Sequence, residues 1–263
     1  MTASRPLSGR HVLVTGAGGG IGAAIAGALA EAGASLSLAG RRLEPLQRVA
    51  EAIGAAQTIV LDGFDVTDSA AIERGLQSAR ARFGPVDILV NNAGEAPSAP
   101  FDKTDADLWS RVIAADLTSV FLVTRAVLAD LKTHGRDARI INVASTAGLR
   151  GYAYVSAYCA AKHGVVGLTR ALALELAKTG ITVNAVCPGY ADTPLVRKAA
   201  DTIKAKTGRS EDEAIAVLAG GNPQGRLVAP AEVADTVLWL ASPGSSSING
   251  QAIVVAGGEV MAG

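Results

Sequence analysis

The sequence predicts an α/β fold in a single domain spanning 1–263, with a doubly wound parallel sheet of about seven strands covered by helices on both faces. Short β-branched runs alternate with longer Ala-rich stretches of helical periodicity over nearly the whole length. A glycine-rich loop follows the first run directly. No Pro/Gly/Ser-rich linker and no repeat of solenoid length divides the chain.

Taken in order, the first strand is expected at His11–Thr15, and helix-compatible residues begin at Ala23 after the loop. Further strands are expected at Ser35–Ala39, Thr58–Leu61, 86–90, Arg139–Val143, 182–186 and Ala252–Val255, each preceded by a helix-compatible segment. The longest helices are expected at 105–132 and 156–178, where apolar residues recur at three- and four-residue spacing. Such apolar helices need cover. They predict a homo-oligomer, a dimer or a tetramer, unless the stripes simply pack on the sheet. The segment 190–226 breaks the alternation with a Pro-rich turn, a polar helix-like stretch, and then Gly220, Gly221 and Pro223. It reads as a mobile lid over a substrate.

Composition narrows the class. With 49% hydrophobic residues the chain can build a large core, which excludes a disordered protein. Lys+Arg and Asp+Glu both number 24, and without a block of like charge nucleic acid is not an expected partner. Cys159 and Cys187 form neither a disulfide framework nor a metal-ligand cluster, so no metal is expected and a reducing, cytoplasmic compartment fits. Arg5 and Arg10 before an apolar stretch imitate a secretory signal, but six glycines interrupt residues 12–32. No run of about 18 uninterrupted apolar residues occurs, so neither export nor a membrane is expected.

The loop reads Thr15, Gly16, Ala17, Gly18, Gly19, Gly20, Ile21, Gly22 between a strand and a helix. Glycines permit the tight turn and let a pyrophosphate approach the backbone, while the first helical turn offers unpaired N–H groups and partial positive charge. A plain tight turn is the alternative. The spacing allows GxGxxA from Gly18 or GxxxGxG from Gly16, and the early end of the strand favours the second. After the second strand stand Gly40, Arg41 and Arg42, where an NAD-binding fold commonly places a carboxylate for the ribose hydroxyl. Two guanidiniums suit a 2′-phosphate instead, which predicts NADP(H) over NAD(H), with NAD(H) retained as the alternative. A solvated helix start would explain the same two arginines.

Tyr158 and Lys162 are four apart in a helical pattern and so share a face, and Ser145 lies just after a strand. A phenol is a poor acid or base at neutral pH unless a neighbouring ammonium favours its phenolate. Ser145 would hold a substrate oxygen beside that phenol. A Tyr and a Lys at this spacing are often incidental on a surface helix, so the pair alone decides nothing.

In combination these motifs resemble the short-chain dehydrogenase/reductase superfamily in its ketoreductase-like branch, over essentially the whole chain. TGAGGGIG at 15–22 is similar to the family's cofactor motif, NNAG at 91–94 to its fourth-strand motif, Ser145 with Tyr158 and Lys162 to its catalytic group, and CPGYADT at 187–193 to its nicotinamide-side turn. The resemblance implies a Rossmann-type sheet and hydride transfer between a nicotinamide and a ketone or secondary alcohol. It implies that Thr15, Gly16, Gly20, Ile21, Gly22, Arg41 and Arg42 bind the cofactor. Asp65 and Val66 would contact the adenine, Asn91, Ala93 and Gly94 would line the cofactor, Lys162 would hold the ribose, and Pro188, Gly189 and Thr193 would orient the carboxamide. Two departures stand out. Asp116 occupies the place of an asparagine that helps hold a proton-relay water; a carboxylate there keeps the relay but adds negative charge beside Lys162, shifting the pH optimum. Gly19 stands where NADP-preferring members often carry a basic residue, which removes one support for NADP(H) without reversing it.

For the substrate, similar stretches occur in 3-oxoacyl or polyketide ketoreductases and in hydroxybutyrate dehydrogenases. Ala153, Tyr154 and Val155 before the catalytic helix offer no cation for a free carboxylate, which favours a larger ketone or an acyl thioester. Arg150, Arg197 and Arg226 are candidates for a carrier phosphate or are solvated charges. His163 reads as a surface or interface residue, Cys159 as packing, and Trp109 and Trp239 as packing anchors. The alternatives are an NAD-dependent 3-hydroxyacyl or diol dehydrogenase and, in another class, a dinucleotide-binding regulator without turnover.

Overall fold

A computed structural model describes residues 5–261; the outermost residues of the expected 1–263 domain lie outside the described residues. The strands are β1 (His11–Thr15), β2 (Ser35–Ala39), β3 (Thr58–Leu61), β4 (Ile88–Asn91), β5 (Arg139–Val143), β6 (Thr182–Pro188) and β7 (Ala252–Val255). They form one parallel sheet in the order β3-β2-β1-β4-β5-β6-β7. Five of the seven expected spans coincide with the strands; β4 starts two residues later than expected and β6 runs on to Pro188.

The helices are α1 (Gly20–Glu31), α2 (Leu43–Ile53), α3 (Ser69–Phe83), α4 (Ala106–Ile113), α5 (Ser119–His134), α6 (Ser156–Leu176), α7 (Pro194–Thr207), α8 (Glu211–Ala219) and α9 (Pro230–Ala241). Their starts are set locally. Asp68 and Asp105 accept from the N–H groups of Ala70 and Leu108, both at 2.8 Å, and Ser210 and Glu213 close a capping box at α8. Val14, Ile141 and Val186 pack with Ile25, Leu29, Val233 and Val237 of α1 and α9 on one face of the sheet. Leu13, Leu89, Ile140 and Val183 pack with Leu76, Val127 and Leu176 of α3, α5 and α6 on the other. Both faces are therefore covered, and β1, β4, β5 and β6 are buried throughout, as parallel strands between two helical layers must be.

The long helix expected at 105–132 is α4 and α5 joined by a π-helical turn over Ala114–Thr118. The extra residue in that turn rotates Asp116 inward, where it is completely buried. The combined stretch Ala106–Asp137 is long and apolar enough to cross a membrane by length and composition, although charged residues such as Asp116 and Arg125 interrupt its apolar run. Val123, Val127 and Leu131 on its inner face pack in the sheet's core and Asp116 pairs within the protein, so it is a core helix of this fold.

Candidate active site

A cleft of about 1340 Å³ runs along the carboxyl ends of the strands. Chain order reverses between β1 and β4, the place where open α/β sheets bind ligands. Here α1 begins without a side-chain cap or an acidic residue in its first turn, leaving its N–H groups and positive end unclaimed. Gly16 has φ +65°, and a Cβ there would come within 2.9 Å of the Ala93 Cα. A Cβ on Gly22 would run into the Gly16 carbonyl, and one on Gly20 would meet Thr193 at 3.2 Å, whereas Gly19 has nothing within 4 Å. A backbone cradle open on that side and too tight for side chains within fits a dinucleotide pyrophosphate.

The cleft is lined by Gly16, Gly20, Ile21 and Gly22, then by Arg41, Arg42, Asp65 and Val66 at one end and Ala93, Gly94, Pro188, Gly189 and Thr193 toward the other. Asp65 accepts from the Thr67 N–H at 2.9 Å and hydroxyl at 2.7 Å, which with nearby Arg41 holds its carboxyl below the usual range.

Two expected residues lie elsewhere. The buried Thr15 hydroxyl accepts from the N–H groups of Asn92 at 3.0 Å and Ala93 at 3.1 Å, tying β1 to β4 beneath the cleft. Asn91 is also buried, its amide donating to Thr124 at 3.1 Å and Asn142 at 2.9 Å. Asn92, the first residue after β4, lines the cleft in its place. Its amide donates to the Thr15 carbonyl at 3.0 Å and the Gly16 carbonyl at 3.2 Å, pinning the glycine loop. Asn92 is not among the residues expected from the sequence, where the NNAG motif alone does not tell which of its two asparagines faces the site.

Ser145, Tyr158, Lys162 and Asp116 all line the same cleft. Ser145 follows β5 in extended conformation, and its hydroxyl accepts from the Ala147 N–H at 3.1 Å. Tyr158 and Lys162 share a face of α6, with the ammonium 5.5 Å from the phenol ring centroid. Lys162 Nζ donates to the Val143 carbonyl at 3.1 Å and lies 3.3 Å from Asp116 Oδ1. Asp116 Oδ2 accepts from the Glu95 N–H at 3.2 Å, and a Cβ on Gly94 would collide with Oδ1. Burial alone would depress the Lys162 ammonium, but Tyr158 and Asp116 together raise it. Burial raises the Asp116 carboxyl, with Lys162 opposing. For Tyr158 the balance corrects the sequence expectation: burial raises the phenol, Lys162 and Ser145 pull it down, Asp116 pushes it up, and the net direction is upward.

Tyr152, Tyr154 and Tyr190 line the cleft near Ser145 and Thr146, with Leu195, Ile203, Lys206 and Leu218 contributed by α7 and α8. The arginines considered for a carrier phosphate are engaged: Arg150 with Glu259, Arg197 with Asp192 and Glu211, and Arg226 with Glu232 through two contacts of 2.7 Å. His163 is exposed, its Nδ1 2.8 Å from the Cys159 carbonyl. Cys159 and Cys187 are both free thiols, and no His/Cys/Asp/Glu cluster suited to a metal occurs among the described residues. Trp109 and Trp239 are 42% and 44% exposed, so they do not anchor the core of this chain.

Known proteins resemble this chain in sequence and fold. The short chain dehydrogenase family model matches residues 10–204. A Streptomyces violaceoruber protein assigned as ketoacyl reductase 1 of the granaticin polyketide synthase is 43% identical, covering 98% of this chain and 94% of its own. The D-beta-hydroxybutyrate dehydrogenase of Cupriavidus necator is 40% identical over 97% of this chain and 99% of its own. A crystal structure of a single-substitution variant of actinorhodin polyketide ketoreductase with NADPH superposes with TM-score 0.89 at 38% identity, covering 98% of this chain and 99% of its own. The chain belongs to the short-chain dehydrogenase family and is an oxidoreductase that acts on CH–OH groups.

Proposed function

We propose that the protein interconverts a ketone and a secondary alcohol with NADP(H), taking a 3-oxoacyl-type or otherwise bulky ketone. The observation that carries this reading is the convergence of Ser145, Tyr158 and Lys162 in one cleft beside a backbone cradle for a dinucleotide. Gly94, Pro188, Gly189 and Thr193 would hold the nicotinamide, which when bound would supply or accept the hydride. The Ser145 hydroxyl orients the substrate oxygen toward the phenol. Tyr158 donates the proton in reduction and takes it back in oxidation, and the Lys162 ammonium stabilises the phenolate that forms. Asp116 and the Val143 carbonyl hold that ammonium in place.

The preference for NADP(H) is supported by Arg41 and Arg42. Arg48, Arg111, Arg150, Arg197 and Arg226 are each paired with a carboxylate, whereas Arg41 and Arg42 form no ion pair within 4 Å among the described residues. Two unpaired guanidiniums at the adenosine end suit a 2′-phosphate. The NADPH-bound ketoreductase relative agrees with this reading. A second reading, an NAD-dependent hydroxyacyl dehydrogenase, is favoured by the hydroxybutyrate dehydrogenase relative. Against it, the loop before α6 offers no cation to clamp a small carboxylate, and Arg150 is taken by Glu259. The regulator alternative loses its ground, since these relatives carry the names of reductases and dehydrogenases.

We further propose that α7 and α8 act as the lid of the substrate side, and that the chain works as a homo-oligomer in a reducing, cytoplasmic compartment. Exposed Phe121 and Leu174 on the two long helices, with the half-exposed edge strand β7, give the apolar surface that subunit contacts would cover. The test of function is hydride transfer followed through nicotinamide absorbance with each cofactor against β-ketoacyl thioesters, acetoacetate and bulky ketones. Turnover that needs NADPH and falls by about 10²–10⁴-fold in Tyr158→Phe is expected. Equal turnover with NADH, or an active Tyr158→Phe, overturns it.

A further inference from the structure

The C-terminal segment delivers a carboxylate beneath the substrate side of the cleft. Gly257 and Gly258, at φ +58° and +95°, turn the chain so that Glu259 points inward with its side chain only 3% exposed. Its Oε1 accepts from the Tyr152 hydroxyl at 2.6 Å, and since a phenol has one proton, Tyr152 in turn accepts from the Thr146 hydroxyl at 2.8 Å. Arg150 closes the group, 3.7 Å from the same Oε1 and stacked 4.5 Å from the centre of the Tyr152 ring. A Cβ on Gly189 or on Gly221 would come within 2.9 Å of this carboxylate, so the neighbouring turns leave room for it. With both lone-pair and proton partners inside the protein, the Tyr152 hydroxyl is committed and its ring is what the cleft meets.

The chain has four tyrosines, and all four line this cleft. Proton transfer uses only Tyr158. Tyr152 and Tyr190 meet edge to face, with centroids 6.4 Å apart at 88°, and so form a right-angled corner. Tyr154 is held at φ +68° while its carbonyl accepts from the Ala99 N–H at 2.8 Å, a strained conformation in the loop that carries the corner.

We propose that Glu259 is a specificity-determining positioning residue: by fixing Tyr152 against Tyr190 it gives the ketone site a rigid aromatic corner that prefers a ketone fused to a flat unsaturated ring over one on a flexible aliphatic chain. This rests on the ketone reading above.

The test compares β-tetralone with methyl octyl ketone, of equal carbon count, using NADPH and wild type, Glu259→Gln, Glu259→Ala and Tyr152→Leu. Wild type is expected to favour β-tetralone in kcat/KM. Glu259→Ala should shrink that preference about three- to tenfold, the range of one aromatic contact, mostly through a higher KM for β-tetralone. Glu259→Gln, whose amide oxygen still accepts from Tyr152, should keep most of the preference, and Tyr152→Leu should lose it even if Glu259→Ala fails to fold. A preference unmoved in Glu259→Ala and Tyr152→Leu, or rates for both ketones falling in parallel, overturns the role of Glu259 alone. Turnover of no ketone by wild type overturns the ketone reading and this proposal with it.

Discussion

The Asp116 carboxylate and the Lys162 ammonium lie 3.3 Å apart with both side chains withdrawn from water, so the cation behind the Tyr158 phenol is itself partly neutralised. Asp116 pushes the phenol up and Lys162 pulls it down. Reduction needs the protonated phenol, so its rate falls as pH rises through that group's pKa. Asp116→Asn removes the upward push while keeping a side chain that accepts from the Glu95 N–H. The basic limb of the pH profile for ketone reduction should therefore move to lower pH. Initial rates across pH at saturating cofactor check this, and a superimposable profile sinks it.

That pair also marks how far the sequence could be read. Strand positions were legible because β-branched runs alternate with helical periodicity, and five of seven coincide. The π turn was not, because Leu108, Val112, Val120 and Val123 continue an apolar helical pattern through Ala114–Thr118 and conceal the extra residue. Tyr158 and Lys162 were legible only in combination with Ser145, the glycine-rich loop and the NNAG motif, whereas the net rise of the phenol depends on burial and on Asp116, both tertiary. Glu259 is a lone acid near the chain end; only folding brings it to Tyr152, 107 residues away. Trp109 and Trp239 reveal the same limit, since an apolar side chain does not declare whether it faces the core or an outer surface.

Arg41 and Arg42 should set cofactor choice. Replacing Arg41 by Ser removes a charge-assisted contact to the 2′-phosphate and should weaken NADPH binding about 10- to 100-fold, with NADH nearly unaffected. The Arg42→Ser change should act in the same sense. Fluorescence titration of both reduced cofactors measures the ratio. Equal losses for the two would assign these arginines to general electrostatics instead.

Gly22 separates the cradle from that preference. A side chain there meets the Gly16 carbonyl and comes within 2.6 Å of the Asn92 amide, the group that pins the loop. Gly22→Ala should therefore weaken NADPH and NADH alike, by at least about tenfold, because the pyrophosphate is common to both. Loss confined to one cofactor would contradict the assignment of this loop.

Far from the cleft, at the amino end of β1, His11 offers a prediction about stability. Its Nε2 lies 2.9 Å from the Ser37 hydroxyl and its Nδ1 2.9 Å from the Gly84 carbonyl, and the ring packs edge-on against Phe83. Burial lowers the imidazole below its usual value, outweighing the carbonyl contacts and Asp87 that favour the charged form. The unfolded chain then binds a proton more readily than the folded one, so this residue's contribution is complete above the unfolded value of 6.5 and is lost as pH falls through the folded one. Urea unfolding should give a midpoint that drops between about pH 7 and pH 5 in wild type. His11→Gln can still donate to Gly84 and accept from Ser37 without gaining a proton. It should be less stable at neutral pH, because Gln does not fill the ring's place, and its midpoint should fall less on acidification. Parallel midpoint curves for the two proteins would mean that other groups carry the acid sensitivity.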